Sequence, residues 1–254
     1  KRENEIGMND HGYKNDKPYA SKTTLIVVPM SLLFQWQKEF EKANNNPNAH
    51  CEIYYGGRAG NLITLLTKTK NPPTIILTSY GVIQSEWSKL PRCNNNRIEQ
   101  GAAIGLFSVE FFRIVIDEGH SIRNRTTRTS KAVMDLSSSR KWVLTGTPII
   151  NRLDDLFSLV KFMKLEPWSQ IGCWKSFVSG PFEKKNYKQA FDVVSSVLEP
   201  VLLRRTKQMK DIDGKPLVTL PPKEIVIEKV KFNTSEDILY KFFLNKAENS
   251  VKES

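Results

Sequence analysis

The run Ile114-Val115-Ile116-Asp117-Glu118-Gly119-His120 decides the fold: an apolar, β-branched stretch ends in two adjacent carboxylates. Near-continuous hydrophobicity over so short a length predicts a strand covered on both faces, as in a parallel sheet. In an open parallel sheet ligands lie beyond the carboxyl ends of the strands, so Asp117 and Glu118 are expected to project into a binding crevice. Cleaving a phosphoanhydride with water needs a divalent cation held by a carboxylate and a second group that orients the water. Asp117 suits the first role and Glu118 the second. A lone Asp-Glu pair is common on surfaces, so the signal rests on the strand before it and the Gly-His after it.

Similar runs flank this one: TLIVV (24–28), CEIYY (51–55), TIILT (74–78) and KWVLT (141–145). Between them, helical spacing appears at Leu32, Leu33, Trp36 and Phe40, at Leu62, Leu65 and Leu66, at Ala132, Val133 and Leu136, and from Leu153 to Met163. Alternating strand and helix predicts an α/β fold, a doubly wound parallel sheet with right-handed crossovers. Residues 1–23 are polar and are expected to be an insertion or a cut end. The lobe is expected over 24–222, turning helical from about 149, and a strand (224–232) followed by a helix capped by Thr234 or Ser235 closes the chain over 223–254. The Asn-rich pieces at 44–48 and 93–97 are expected loops. The later aromatics Phe157, Phe162, Trp168, Trp174, Phe177, Phe182, Tyr187 and Phe191 are expected to pack as core.

The 254 residues carry 38 Lys and Arg against 27 Asp and Glu, a net charge of +11, which favours a polyanionic partner. Cys51, Cys93 and Cys173 stand far apart with no C-x-x-C pair, so they are expected as reduced thiols rather than zinc ligands. No apolar run approaches the length of a membrane span. A second strand-to-turn signal is Trp142-Val143-Leu144-Thr145-Gly146-Thr147-Pro148, whose threonine hydroxyls are placed to bond the Asp-Glu carboxylates or His120. Basic side chains cluster directly past the catalytic strand, at Arg123, Arg125, Arg128 and Lys131, and again at Arg204, Arg205 and Lys207. Guanidinium forks suit phosphate oxygens without reading sequence, though acids such as Glu183 or Asp192 are alternative partners.

Together with TLIVVPMSLLFQWQKEF (24–40), TIILTSYGVI (74–83) and LLRRTK (202–207), these motifs resemble the SWI/SNF-type group of superfamily-two ATPases, from Thr24 onward. The runs RNRTTRTSKAV (123–133), WVLTGTPIINRLDDLFSLVKF (142–162) and RRTKQMKDIDGKPLV (204–218) look like its fungal DNA-damage-tolerance subgroup, related to the helicase-like transcription factor, in which the motor is joined to a RING ubiquitin ligase. The resemblance implies a RecA-like lobe and a nuclear, DNA-dependent ATPase that uses ATP and Mg2+, tracks along double-stranded DNA and remodels stalled forks. By likeness Asp117, Glu118 and His120 form the magnesium and hydrolysis motif, with Asp117 holding the metal through water, and Thr145, Gly146 and Thr147 the coupling motif. Pro29, Ser31, Thr78 and Tyr80 match segments that contact the DNA backbone, and Arg123 and Asn124 match the pair past the hydrolysis motif.

One departure stands out: no G-x-x-x-x-G-K-[ST] run occurs anywhere, and such a loop supplies the amides and lysine that cradle the β- and γ-phosphates. The arginine-finger motifs of a second lobe and the RING cysteines are absent too. The chain by itself is therefore expected to bind ATP poorly and to depend on a second RecA-like lobe and a phosphate loop. A fragment of a longer protein accounts for this; a non-catalytic docking platform is the rival, and an RNA helicase lobe a third reading.

Overall fold

The computed structural model describes residues 17–56, 62–91, 104–147, 153–206, 209–215 and 224–252. Two compact units divide the chain, Lys1–Leu202 and Leu203–Ser254. In the first, β1 (Tyr19–Val28) leads through a 3-10 turn (Met30–Leu32) into α1 (Leu33–Ala43), then β2 (Cys51–Ile53), α2 (Leu62–Thr67), β3 (Ile75–Ser79) and α3 (Tyr80–Ser88). After a 3-10 turn at Gly105–Ser108 come β4 (Glu110–Ile116), a further 3-10 turn (Gly119–Ile122), α4 (Arg128–Met134), β5 (Ser137–Ser138) and β6 (Lys141–Val143). The helical extension is α5 (Leu153–Met163), α6 (Ile171–Trp174), α7 (Gly180–Glu183) and α8 (Tyr187–Leu198).

All strand pairs are parallel, in the order β2-β3-β1-β4-β5, with β6 also on β4. The central strand β1 explains the near-continuous hydrophobic run. Its alternate residues Leu25 and Val27 join a core with Ile76, Ile114, Ile116, Ile83 and Val133, whereas Ile26 and Val28 join Leu33 and Leu77 on the opposite face. With period-two side chains buried on both faces, no position is left for a polar residue. A third cluster, Leu156, Phe157, Val160, Trp174, Val178 and Val194, holds the extension together. Because Leu159 and Phe162 of α5 belong to the sheet core, that one helix welds the extension to the sheet.

Four expectations change. β1 begins at Tyr19, within the segment read as polar, because Tyr19 and Ala20 pair with Glu110 and Phe111 before a bulge. Residues 224–232 are exposed and irregular rather than a strand, with no pairing among the described residues. The helix that follows, α9 (Thr234–Lys252), is capped by Asn233, whose side chain accepts from Glu236 N at 2.9 Å while its own N–H donates to Glu236 Oε2 at 2.9 Å. Of the later aromatics, Phe157, Phe162 and Trp174 are buried, but Phe177, Phe182, Tyr187 and Phe191 are exposed. Phe182 packs edge-on to Tyr187 and Phe191, at 5.0 and 6.0 Å, so these rings cover one another rather than fill a core. The Asn-rich loop at 44–48 is present, braced by Asn44 Nδ2 donating to the Ala49 carbonyl at 3.0 Å; the one at 93–97 lies outside the described residues.

A buried carboxylate braces α3 to the segment before β4. Glu86 is 5% exposed and accepts from the Tyr54 hydroxyl and from Leu106 N at 3.0 Å. Gly105, at φ +54, sits so close that a Cβ there would lie 2.4–2.6 Å from the Glu86 carboxyl atoms. Gly105→Ala is therefore expected to lower stability by about 2–3 kcal/mol, from left-handed strain plus a displaced buried acceptor. Urea unfolding checks it, with Gly172→Ala, which meets nothing within 4 Å, as the benign control; equal midpoints for the two variants would refute the brace.

Candidate active site at the carboxyl edge of the sheet

Parallel strands bring all their carboxyl ends to one edge, so segments distant in sequence converge there. The last rung between β1 and β4 is Asp117 N donating to the Val27 carbonyl at 2.8 Å, which fixes Asp117 at the strand tip. Its carboxylate is held at both oxygens: Oδ1 accepts from Glu118 N at 2.8 Å and Oδ2 from the Trp36 indole N–H at 2.8 Å. Its carbonyl accepts from the Tyr80 hydroxyl at 2.5 Å. Burial, then the nearby Asp117 charge, pushes the Tyr80 phenol well above its ordinary range, so it remains a donor.

The chain then reverses. Glu118 adopts the left-handed region, at φ 50 and ψ 52, a conformation that costs a non-glycine residue about 1–2 kcal/mol. Backbone bonds hold it there: Gly119 N donates to the Leu144 carbonyl at 2.9 Å, Leu144 N to Ile116 at 2.8 Å, and Ser121 N to Glu118 at 2.8 Å. Position 119 favours glycine, because a Cβ there would lie 2.4 Å from Val143 Cγ1 and force a shift. The Glu118 carboxylate stays partly exposed, with His120 Nδ1 at 3.0 Å in a contact outside hydrogen-bond geometry. Neither carboxylate pairs with a lysine or arginine among the described residues.

Thr145, Gly146 and Thr147 follow β6 on the same edge. The expected hydroxyl bridge to the carboxylates is not formed; Thr145 Oγ1 instead accepts from Thr147 N at 3.2 Å. What links the two motifs is main chain, the Gly119–Leu144 bond, and Gly146 lies outside the left-handed region with free space at its Cα.

The residues matched to DNA contact divide. Pro29 opens the turn after β1 and Ser31 is exposed there, beside exposed Met30 and Phe34. Thr78 is fully buried, its hydroxyl donating to the Tyr54 carbonyl at 2.9 Å, and Tyr80 is occupied by Asp117, so neither side chain is offered to a duplex. Arg123, Asn124 and Arg125 are exposed past the 3-10 turn. Ser158 Oγ fixes the Arg123 carbonyl at 2.6 Å, Asn124 Oδ1 holds Thr126 N and Oγ1 at 3.0 and 2.7 Å, and the Arg125 guanidinium lies 5.6 Å from the Phe157 ring centre. With Asp154, Asp155 and Phe157 they line a cleft of about 310 Å³, so the nearby acids come from α5 rather than from Glu183 or Asp192. Arg204 and Arg205 are exposed in the second unit, and Lys207 lies outside the described residues.

Helical spacing places Trp36 on one face of α1 with Leu33 and Phe40, and nothing in the sequence signals that its N–H reaches Asp117. Cys51 and Cys173 are free thiols, and burial, with Glu41 and Glu52 nearby, pushes Cys51 up to about 11, which keeps it protonated.

The profile described as SNF2-related domain matches residues 6–254. The chain is 68% identical over 238 residues to the DNA repair protein RAD5 of Saccharomyces cerevisiae, covering 94% of this chain and 20% of that protein. It is 54% identical to the DNA repair protein RAD5 of Candida albicans, covering 94% and 22%. Among solved structures, the Sulfolobus solfataricus SWI2/SNF2 ATPase core domain matches with TM-score 0.53 and 31% identity, over 75% of this chain and 34% of that one. The same core in complex with double-stranded DNA matches with TM-score 0.53 and 30% identity, over 74% and 34%. The chain thus spans about a fifth of the length of the curated relatives it matches.

Proposed function

The chain belongs to the SNF2-related family and has its RecA-like α/β architecture, and from that premise we propose that the protein containing it is an ATP-driven translocase on double-stranded DNA, acting in DNA repair. The observation that carries this reading is the tip of β4. Two carboxylates stand at the carboxyl edge of an interior parallel strand, unpaired with lysine or arginine among the described residues, and one of them is locked in orientation by neutral donors.

The donor set fits Mg2+. Asp117 is a hard oxygen ligand whose two bonds come from uncharged N–H groups, so its charge and remaining lone pairs are available. No group of three or more His, Cys, Asp or Glu able to hold a metal occurs among the described residues, and Mg2+ characteristically takes one or two carboxylates and completes its shell with water and phosphate oxygens. When bound with ATP, the ion neutralises charge on the phosphates. Asp117 would hold it through water; Glu118 would orient the attacking water and accept a proton from it, with His120 Nδ1 standing 3.0 Å from the Glu118 carboxylate. Thr145, Gly146 and Thr147 move with this site through the Gly119–Leu144 bond and so pass its state to the bound strand.

The duplex-contacting residues in this reading are Pro29, Ser31, Arg123, Asn124 and Arg125 of the first unit and, taken separately, Arg204 and Arg205 of the second; Thr78 and Tyr80 serve by shaping the edge from within. The relatives' printed role is DNA repair; the resemblance of the motifs extends this reading to a nuclear protein acting in DNA damage tolerance on replication forks, with RING ubiquitin ligase activity carried elsewhere in the protein. By the same likeness residues 24–222 form the first lobe and 223–254 lead toward a second.

Two measurements test this. ATP turnover of the intact protein is expected to be stimulated by duplex DNA and not by single-stranded RNA; stimulation by RNA alone would favour the helicase alternative, and no nucleotide affinity at all the docking platform. Replacing Arg123 and Arg125 by alanine is expected to weaken duplex binding roughly tenfold and to reduce the salt slope by about 1.8, two phosphate contacts at about 0.9 each. An unaltered slope would remove these arginines from the contact.

A further inference from the structure

Two aromatic side chains from opposite layers of the sheet grip the same residue. Trp36 belongs to the layer built on Ile26, Val28 and Leu33, and its indole N–H reaches Asp117 Oδ2 at 2.8 Å. Tyr80 belongs to the layer built on Leu25, Val27 and Ile116, and its hydroxyl reaches the Asp117 carbonyl at 2.5 Å. The Asp117 main chain is thereby pinned from one side and its carboxylate from the other. An indole is a donor only and carries no charge, so it turns the carboxylate without neutralising it. A lysine or arginine at that place would compete with a cation for the same oxygens.

Trp36 also stands in the first half of α1, the helix that begins directly after Pro29, Met30 and Ser31. Leu33 anchors that helix to the sheet and is 1% exposed, whereas Met30 and Phe34 are 58% and 62% exposed. A force on the exposed turn is carried by one short rigid element to the indole that holds Asp117.

We propose that Trp36 is a positioning residue: it sets the orientation of the carboxylate that holds the metal, and it ties that orientation to the turn at Pro29–Ser31, where the duplex is met. The proposal rests on the assignment of Asp117 given above and extends it to a residue that touches neither nucleotide nor DNA. Hydrogen bonds that orient a metal ligand are typically worth about 10–100-fold in metal affinity or activity.

The test uses the intact protein with Mn2+ as probe, titrated by electron paramagnetic resonance in the presence of a non-hydrolysable ATP analogue. Trp36→Phe is expected to weaken Mn2+ binding by about tenfold, with metal-free nucleotide affinity unchanged. Asp117→Asn is expected to weaken it at least as much, and Trp36→Phe added to Asp117→Asn to change it less than about twofold, because the indole acts only through that carboxylate. Losses that simply add would mark Trp36 as a packing residue and overturn the proposal. Wild-type Mn2+ affinity in Trp36→Phe, with Asp117→Asn impaired, would overturn it while leaving the site assignment standing; unimpaired Asp117→Asn would overturn both. Should Trp36→Phe not fold, Trp36→benzothienylalanine keeps the ring shape, replaces the N–H by sulfur, and decides the question by the same titration.

Discussion

Alanine at both Asp117 and Glu118 of the intact protein is expected to lower duplex-stimulated ATP turnover by about a thousandfold or more, leaving duplex affinity within about threefold of the parent. The two carboxylates stand at the tip of β4 and pair with no lysine or arginine among the described residues, so their removal strips charge from the site without orphaning a buried lysine or arginine. Single variants separate the roles. Asp117→Ala is expected to raise the Mg2+ needed for half-maximal turnover, since it removes a metal-holding oxygen. Glu118→Gln keeps the side-chain shape and a carbonyl acceptor but loses the basic carboxylate, so nucleotide and metal binding are expected to persist while turnover falls by about 10²–10⁴, the usual contribution of a positioned general base. Turnover unchanged in the double variant would remove both residues from the chemistry.

The parts of this architecture that were legible in the sequence are those fixed by local burial. TLIVV (24–28) and RIVID (113–117) read as parallel strands because their neighbours cover both faces, which leaves an unbroken apolar run. Asp117 and Glu118 were legible as a candidate site for the same reason: a strand that apolar has no structural use for two acids at its end. Residues 19–23 escaped because only Ala20 and Thr23 turn inward there, the others being exposed, so no hydrophobic run marks the start of β1. The run at 224–232 misled in the opposite direction, since β-branched residues favour a pleated surface only when a partner strand supplies one. The bonds of Trp36 and Tyr80 to Asp117 could not be read from the sequence, which offered Trp36 only as part of a helical face and Tyr80 only as a match to a DNA-contacting segment. Their partner lies 81 and 37 residues away, and one polar atom on an otherwise apolar ring leaves the hydrophobic period intact. Thr78 and Ser79 present the converse case: hydroxyls at the end of β3 look available in the sequence, but Thr78 closes onto the Tyr54 carbonyl and Ser79 accepts from Val82 N to cap α3.

The joint between the two motifs gives the second large effect. Gly119 is pressed against β6 so closely that an alanine Cβ would meet Val143 Cγ1 at 2.4 Å, well inside contact distance, while its N–H holds the Leu144 carbonyl at 2.9 Å. Gly119→Ala must therefore displace the Val143 side chain, push β6 away from the tip of β4 or tilt the Asp117–His120 reversal, and any of these strains the Gly119–Leu144 main-chain bond that joins this reversal to the segment leading into Thr145, Gly146 and Thr147. Overpacking of this kind typically costs about 1–3 kcal/mol. The catalytic loss is expected to be larger, about a hundredfold in duplex-stimulated turnover, because displacement of a catalytic group by about 1 Å is enough for a loss of that size. Gly146→Ala, where nothing lies within 4 Å, is expected to leave stability unchanged. The atom responsible can be tested directly, since Val143→Ala removes Cγ1. Combined with Gly119→Ala it is expected to restore most of the lost turnover, although Val143→Ala alone lowers stability by about 1–2 kcal/mol for the deleted methyl groups. Losses that add in the double variant would show that the glycine is required for some other reason than room for the valine, and the two motifs would then have to communicate by a route other than this contact.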